Sequence, residues 1–586
     1  MLGFLKNVLS TIVGLALFLF VIVFTGIAIL MSAMPEEKEK VKSTSVLRLK
    51  LDAPIVERDP DNFLSKFSPF SGVEPSIGLI ELKELITKAK SDSSIKGIFL
   101  DISMVNAGYA TLQELRNKLI DFKSSQKFIV AYGEFYNEKS YYLASIADKI
   151  YLPPSGNLEF NGLESEIMFL KGALEKLEIK AEIFKVGEFK SAVEPLFLDK
   201  MSDASRTQTR SFLNAINNNC LSEIALSRNI PLEQLQKISD SMLVRSAHNA
   251  LELGLITDLA YYDNLEQYIQ EKLKISSDEE INFISYSTYK NSILNQPQNT
   301  AADNNKIAVI IANGEINTGK SDDASIGSES LCEQIRKARK DENVKAIVLR
   351  INSPGGSALA SDVIWREVTL TKKIKPIVAS MSDLAASGGY YIAMACDTII
   401  AQPNTITGSI GVFGISFNAE SFLKNKLGVS TDRVNTGQFS DLGTITRPMT
   451  TFEKQIIQKE VENIYESFTS KAAEGRRMTL EKLKSIASGR VWAGSEGKNN
   501  GLVDIYGGLD EAIQIAANMA STSDYQLLYL PERKNQYWNQ LINQIGNEEE
   551  ALSKQLGIFY PYLKNIRNVK KLEGIQARMP FEIYLK

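Results

Sequence analysis

Val344-Lys345-Ala346-Ile347-Val348-Leu349-Arg350-Ile351 repeats, 249 residues later, the run Ile95-Lys96-Gly97-Ile98-Phe99-Leu100-Asp101-Ile102. Each octet is a short, β-rich apolar run, and amphipathic stretches at helical spacing lie on either side. That alternation predicts α/β units rather than a sandwich. The same offset carries Tyr141-Tyr142 onto Tyr390-Tyr391, Asp148 onto Asp397 and Ile150 onto Ile399. Further along, Gly187-Glu188-Phe189-Lys190 matches Gly437-Gln438-Phe439-Ser440, and Gly254-Leu255-Ile256-Thr257-Asp258 resembles Gly501-Leu502-Val503-Asp504. A duplication explains this better than chance.

The duplication sets the expected organisation. Residues 1–6 are a short tail and 7–34 an apolar span. Residues 35–45 are a linker, 46–295 the first repeat, 296–305 a polar, Asn-rich linker, and 306–526 the second repeat. Residues 527–586 form a C-terminal extension with a final strand expected over 581–585. From Asn7 to Met34 no residue is charged, which is long enough to cross a hydrocarbon core of about 30 Å. A cleavable signal peptide would end in an A-x-A-like site, and Ser32-Ala33-Met34 matches poorly, so an uncleaved anchor is expected. Lys6 precedes the span and Lys38, Lys40 and Lys42 follow it, so charge alone does not orient it.

The chemistry is expected where the repeats differ. Leu384-Ala385-Ala386-Ser387-Gly388-Gly389-Tyr390 reads as the end of a buried strand, a tight turn and a helix start. A serine there is expected to be exposed at a helix N-terminus, where N–H groups and the helix dipole favour a developing negative charge. The two glycines leave room for a substrate carbonyl. Such a nucleophile needs a base, and the chain's single histidine, His248, lies outside every motif. The first repeat has Glu138 opposite Ser387 and Val105-Asn106-Ala107 opposite Pro354-Gly355-Gly356, whereas the second has Ser440 opposite Lys190. One half keeps a serine and a glycine turn, the other keeps a lysine. The expectation is one composite site.

Several classes are set aside by composition. A net charge of −4 gives no electrostatic case for nucleic acid. Cys220, Cys332 and Cys396 are far apart with no CxxC, and so read as core residues rather than a disulfide frame or zinc site. One histidine rules out an HExxH metal site, and no cofactor is implied. Gly314-Glu315-Ile316-Asn317-Thr318-Gly319-Lys320-Ser321 satisfies the P-loop pattern, but Asp322 and Asp323 follow where a phosphate-binding helix should begin. The helix is expected to start at Ser328 or Ser330, with Glu333 closing a capping box, and nucleotide binding is not expected.

Asn352-Ser353-Pro354-Gly355-Gly356-Ser357, Ala385-Ala386-Ser387-Gly388-Gly389-Tyr390, Thr407-Gly408-Ser409-Ile410-Gly411 and Gly187-Glu188-Phe189-Lys190-Ser191-Ala192-Val193-Glu194-Pro195 together resemble the signal peptide peptidase A (protease IV) family in its long duplicated form. The resemblance covers nearly the whole chain. It implies tandem ClpP/crotonase-like domains behind one N-terminal transmembrane helix, and a Ser–Lys dyad. The implied roles are Ser387 as nucleophile, Lys190 as general base, Gly356 and Gly388 N–H groups as oxyanion hole, and Ser409 as the residue that orients the lysine amine. The implied activity is a membrane-anchored serine endopeptidase acting on cleaved signal peptides and other apolar or unfolded peptides. The implied assembly is a homotetramer on the outer, periplasmic face of the cytoplasmic membrane. Met381-Ser382-Asp383 stands where relatives often have glycines, a departure expected to concern local substrate contacts. The rival readings are a crotonase-like acyl-CoA enzyme and a non-catalytic membrane scaffold on the same fold.

Overall fold

The computed structural model describes residues 41–59, 76–294, 305–322, 325–532 and 574–579, with scattered positions between 11 and 22. The expected anchor at 7–34 falls almost wholly outside the described residues, as do the expected strand at 581–585 and all of the 296–305 linker but Asn305. Among the described residues no helix is long and apolar enough to cross a membrane.

Two parallel sheets repeat one strand order. In the first half the spatial order is Asp258–Leu259, Lys149–Leu152, Phe128–Tyr132, Ile95–Asp101, Ser45–Lys50 and Phe283–Ser285. In the second the matching run is Ile505–Tyr506, Thr398–Ala401, Ile377–Ala386, Val344–Ser353, Lys306–Asn313 and Gln526–Leu530, and the sheet adds Ile406–Gly408 beside the end of Ile377–Ala386 and Val491–Ala493 antiparallel to that. The helices Leu79–Ser91 and Tyr109–Lys123 recur as Ser328–Lys340 and Ala358–Lys372. Both octets are apolar almost throughout because helices cover both faces of a parallel sheet. The last strand of the second sheet, Gln526–Leu530, straddles the 526/527 position where the extension was expected to begin.

The repeated polar residues perform the same local task twice. Asp148 accepts from Ile129 N at 2.8 Å, and Asp397 accepts from Ile377 N at 3.0 Å. The Tyr141 hydroxyl donates to Leu255 O at 2.8 Å, and Tyr390 donates to Leu502 O at 3.1 Å. These side chains satisfy buried backbone groups at strand ends, where ladder partners run out. The three cysteines are free and buried, as the spacing suggested.

A third sheet joins the halves. Its order is Ser325–Gly327, Glu315–Asn317, Gly355–Ser357, Gly574–Arg578, Val412–Asn418 and Lys180–Val186. The P-loop match therefore forms a strand and turn. Gly319 O accepts from Glu329 N, and Lys320 is exposed. The helix starts at Ser328 with Gly327 as its N-cap and no side-chain cap. The expected capping box is absent because Ser330 instead accepts from Ser321 N at 3.0 Å, pinning the preceding turn.

Candidate active site

Lys190 is delivered across the junction of the two halves. The strand Lys180–Val186 pairs antiparallel with Val412–Asn418 along its full length, from Val186 opposite Val412 to Lys180 opposite Asn418. The chain then turns at Gly187, whose φ is +102°; a Cβ there would lie 2.4 Å from Ser488 O. Phe189 N donates to Ser488 O at 3.0 Å, and Lys190 is left pointing into the second half. Two further glycines make room for its stem. A Cβ on Gly489 would sit 2.7 Å from Lys190 Cβ, and one on Gly411 would sit 3.2 Å from Lys190 Cδ.

Ser387 ends the long strand Ile377–Ala386 and precedes the helix Gly388–Ala393. Its backbone is held at φ +55°, ψ −112°, a region that non-glycine residues rarely occupy. Ser387 N donates to Gly408 O at 2.8 Å, and Tyr391 N donates back to Ser387 O at 2.8 Å, which fixes the turn. Gly355 and Gly356 lie alongside at φ +94° and +154°. A Cβ on Gly356 would be 2.1 Å from Ile316 O, so this stretch can approach its neighbour only as glycine.

The structure brings the expected residues together. Lys190 Nζ lies 2.8 Å from Ser387 Oγ, 3.0 Å from Ser409 Oγ and 3.0 Å from Ser409 O. All three residues are fully buried. Burial pushes the Lys190 amine well below the ordinary lysine value, and no carboxylate opposes it. A neutral amine has one lone pair and two N–H groups. The two N–H groups suit the two contacts to Ser409, which leaves the lone pair for Ser387 Oγ whenever the amine is neutral. His248, by contrast, is exposed on the short helix Ala247–Glu252. Among the described residues no cluster of His, Cys, Asp or Glu could hold a metal ion.

One expectation is corrected. Ser387 is not exposed: the strand Gly574–Arg578 lies against Gly355–Ser357 and covers the turn.

Family models match at residues 121–276 and 369–523, both as peptidase family S49. The chain belongs to peptidase family S49. It is similar to "Protease 4" of Salmonella typhi, 33% identical over 576 residues, covering 96% of this chain and 92% of the relative. It is similar to "Serine protease SPPA, chloroplastic" of Arabidopsis thaliana, 32% identical over 548 residues, covering 92% of this chain and 78% of the relative. "Protease 4" of Haemophilus influenzae is 32% identical over 519 residues, covering 85% of this chain and 84% of the relative. The chain is thus a serine-type endopeptidase built from two S49 units.

In this S49 peptidase the Met381-Ser382-Asp383 stretch ties the halves together. Asp383 accepts from Thr111 N at 2.8 Å and from Thr111 Oγ1 at 2.5 Å, capping the helix Tyr109–Lys123 from the opposite half. Gly108, the N-cap, has no side chain for the task. Burial raises the Asp383 carboxyl, although the Thr111 bonds pull it back. Ser382 donates to Glu57 and accepts from Arg350 at 3.0 Å. Arg350 also reaches Glu57 at 2.8 Å, Glu114 at 2.7 Å and Ser380 at 3.0 Å, with no solvent exposure. Lys83 adds a second cation at 2.6 Å from Glu114. Burial would raise Glu114, but Arg350 and Lys83 hold it below the ordinary carboxylate value.

Gln208 is a second link that the motifs do not reveal. Its amide donates to Phe189 O at 3.0 Å and Ser191 Oγ at 2.7 Å, and its carbonyl accepts from Val491 N at 3.1 Å. It fixes the turn beside Lys190 to the strand Val491–Ala493. Arg490 stacks between Phe189 and Trp492, 5.1 and 4.0 Å from the ring centroids. These residues carry no recognisable motif; only their place beside Gly489 could have drawn attention to them.

Proposed function

We propose that this peptidase works through a Ser387–Lys190 dyad. The observation that carries the reading is the 2.8 Å contact of the Lys190 amine with Ser387 Oγ in a buried pocket without a carboxylate. The neutral amine takes the hydroxyl proton as Oγ attacks a peptide carbonyl. The N–H groups of Gly356 and Gly388 hold the oxyanion that forms. The lysine ammonium then passes its proton to the leaving amine, and water, deprotonated by the same amine, hydrolyses the acyl-serine. Ser409 keeps the amine aimed through two hydrogen bonds.

The proposed substrates are cleaved signal peptides and other apolar or unfolded peptides. The proposed setting is the outer face of the cytoplasmic membrane, with residues 7–34 as a single-pass anchor. Each half is read as ClpP/crotonase-like, for which the repeated parallel strand order speaks. A homotetramer is proposed on a separate ground. The first-half strand Lys180–Val186 docks on the second half, but its second-half counterpart, around 429–435, pairs with no strand among the described residues. It leaves Leu427, Val429 and Val434 exposed, Val434 by 98%, which suits docking on another copy.

The test is mutational. Ser387→Ala and Lys190→Ala should each abolish peptide hydrolysis and fluorophosphonate labelling while the fold is retained. The double variant should be no worse than either single one, because the pair acts as a unit. Substantial turnover by Lys190→Ala removes the dyad.

A further inference from the structure

The strand Gly574–Arg578 has no role in the dyad chemistry, yet it occupies the groove beside it. It runs antiparallel to Gly355–Ser357 on one side and to Val412–Asn418 on the other. On the glycine side Ala577 faces Gly356 and Arg578 faces Gly355, and Met579 N donates to Pro354 O at 2.7 Å. Antiparallel pairs alternate between bonded and non-bonded. Residues 579 and 354 form a bonded pair, so 577 and 356, two steps along, form another, and Gly356 N–H faces the Ala577 carbonyl. The same carbonyl borders Gly388: the position a Cβ would take on Gly355 is 2.1 Å from Ala577 O and 2.6 Å from Gly388 N. Ala577 therefore turns its carbonyl toward the Gly356 N–H and holds it beside the Gly388 backbone, the two residues whose N–H groups would hold an oxyanion.

The neighbouring side chains give this strand a chemical signature. Ala577 is fully buried, with no exposed surface left on its small side chain. Arg578, the next residue, meets Glu315 at 2.7 Å, with side chains 11% and 15% exposed. Glu315 lies on the strand Glu315–Asn317, which pairs with the glycine strand through Ile316 and Gly356. It belongs to the stretch that mimics a P-loop, and the fold gives it a different use. A carboxylate mostly removed from water and bonded to a guanidinium discriminates strongly by charge.

We propose that this groove selects extended peptides with a small residue at the Ala577 position and a basic residue immediately after it. Glu315 reads the positive charge, and the chain's own residues 574–579 occupy the groove until a substrate displaces them. The inference rests on the dyad reading and adds the substrate class and the resident competitor to it.

The experiment uses the full chain and two fluorogenic peptides built on Gly-Ile-Gln-Ala-Arg-Met-Pro, the second with Glu in place of Arg. The wild type should favour the Arg peptide in kcat/KM by about tenfold or more, the worth of one charge-assisted bond. Glu315→Lys should invert the ratio. Glu315→Gln, a neutral isostere, should bring it toward one even if the lysine variant folds poorly. Arg578→Glu, which repels the resident strand from Glu315, should speed fluorophosphonate labelling of Ser387 in the absence of peptide. An Arg-to-Glu peptide ratio unchanged in both Glu315 variants, or unchanged labelling in Arg578→Glu, overturns the proposal. If wild type and Arg578→Glu neither label nor cleave either peptide, the dyad reading falls, and this inference with it. Labelling with equal cleavage of both peptides removes only this inference.

Discussion

Replacing Arg350 with methionine keeps most of the side-chain volume and removes the charge at the centre of the junction. Arg350 is fully buried, and it is the shared partner of Glu57 and Glu114. Without it Lys83 is left as the nearby cation, 2.6 Å from Glu114. Removing one partner of a buried pair costs about 3–5 kcal/mol, because the abandoned charge stays desolvated. One guanidinium serves two carboxylates here, so Arg350→Met belongs at the upper end, about 5 kcal/mol. The stranded carboxylates can limit that cost by binding protons. With Arg350 gone, burial pushes the Glu114 carboxyl up, the folded variant binds more protons than the unfolded chain, and its deficit grows with pH. The assay is urea unfolding of wild type and variant, followed by tryptophan fluorescence between pH 5 and 8. The midpoint should fall, and the transition should split as the halves part before each unfolds. Adding Glu57→Gln and Glu114→Gln should recover much of the loss. A deficit below about 1 kcal/mol at pH 8, the range of an exposed pair, or one that does not change with pH, would refute the reasoning.

For the dyad, kcat/KM should climb as pH rises through the lowered Lys190 pKa and level off on the alkaline side, since the unprotonated amine is the base. Lys190→Arg should be inactive at every pH tested, because a guanidinium does not deprotonate in this range; an optimum near pH 4–5, or full activity in that variant, contradicts the mechanism. Gly356→Ala places a methyl group 2.1 Å from Ile316 O and should cost at least about a hundredfold in kcat by displacing an oxyanion donor, with the helical circular-dichroism signal retained. His248→Ala should keep near-normal kcat/KM, since the imidazole is exposed far along the chain from both dyad residues; a loss of about a thousandfold would point to a Ser–His mechanism.

The paired strands, the repeat and the split of serine and lysine between halves were legible because each leaves a local mark. Buried parallel strands are continuously apolar, and a lost catalytic residue leaves a mismatch at a fixed offset. The cross-half strand pairing of Lys180–Val186 with Val412–Asn418 was not legible, since partners more than two hundred residues apart leave no periodic trace. Arg350 lies inside the octet that revealed the fold, yet it reads as an interruption of an apolar run until Glu57 and Glu114 are seen around it. Asp383 looked like a departure from a glycine pattern; its reason is a helix N-terminus in the other half. The strand Gly574–Arg578 beside the Gly355–Ser357 turn carries no motif, whereas the turn that presents the serine was plain from its glycines.

The crossing of Lys190 into the second half also governs timing. Lys190 and Ser387 are 197 residues apart in the chain. At about 5–20 residues per second of synthesis, the lysine arm emerges some 10–40 seconds before the serine does. Its edge partner, Val412–Asn418, and the Gly489 that seats its stem come later still. A nascent chain, or one truncated before that point, cannot assemble the two functional groups into one pocket. The duplicated architecture thus delays competence until both halves exist, a latency built into the order of synthesis.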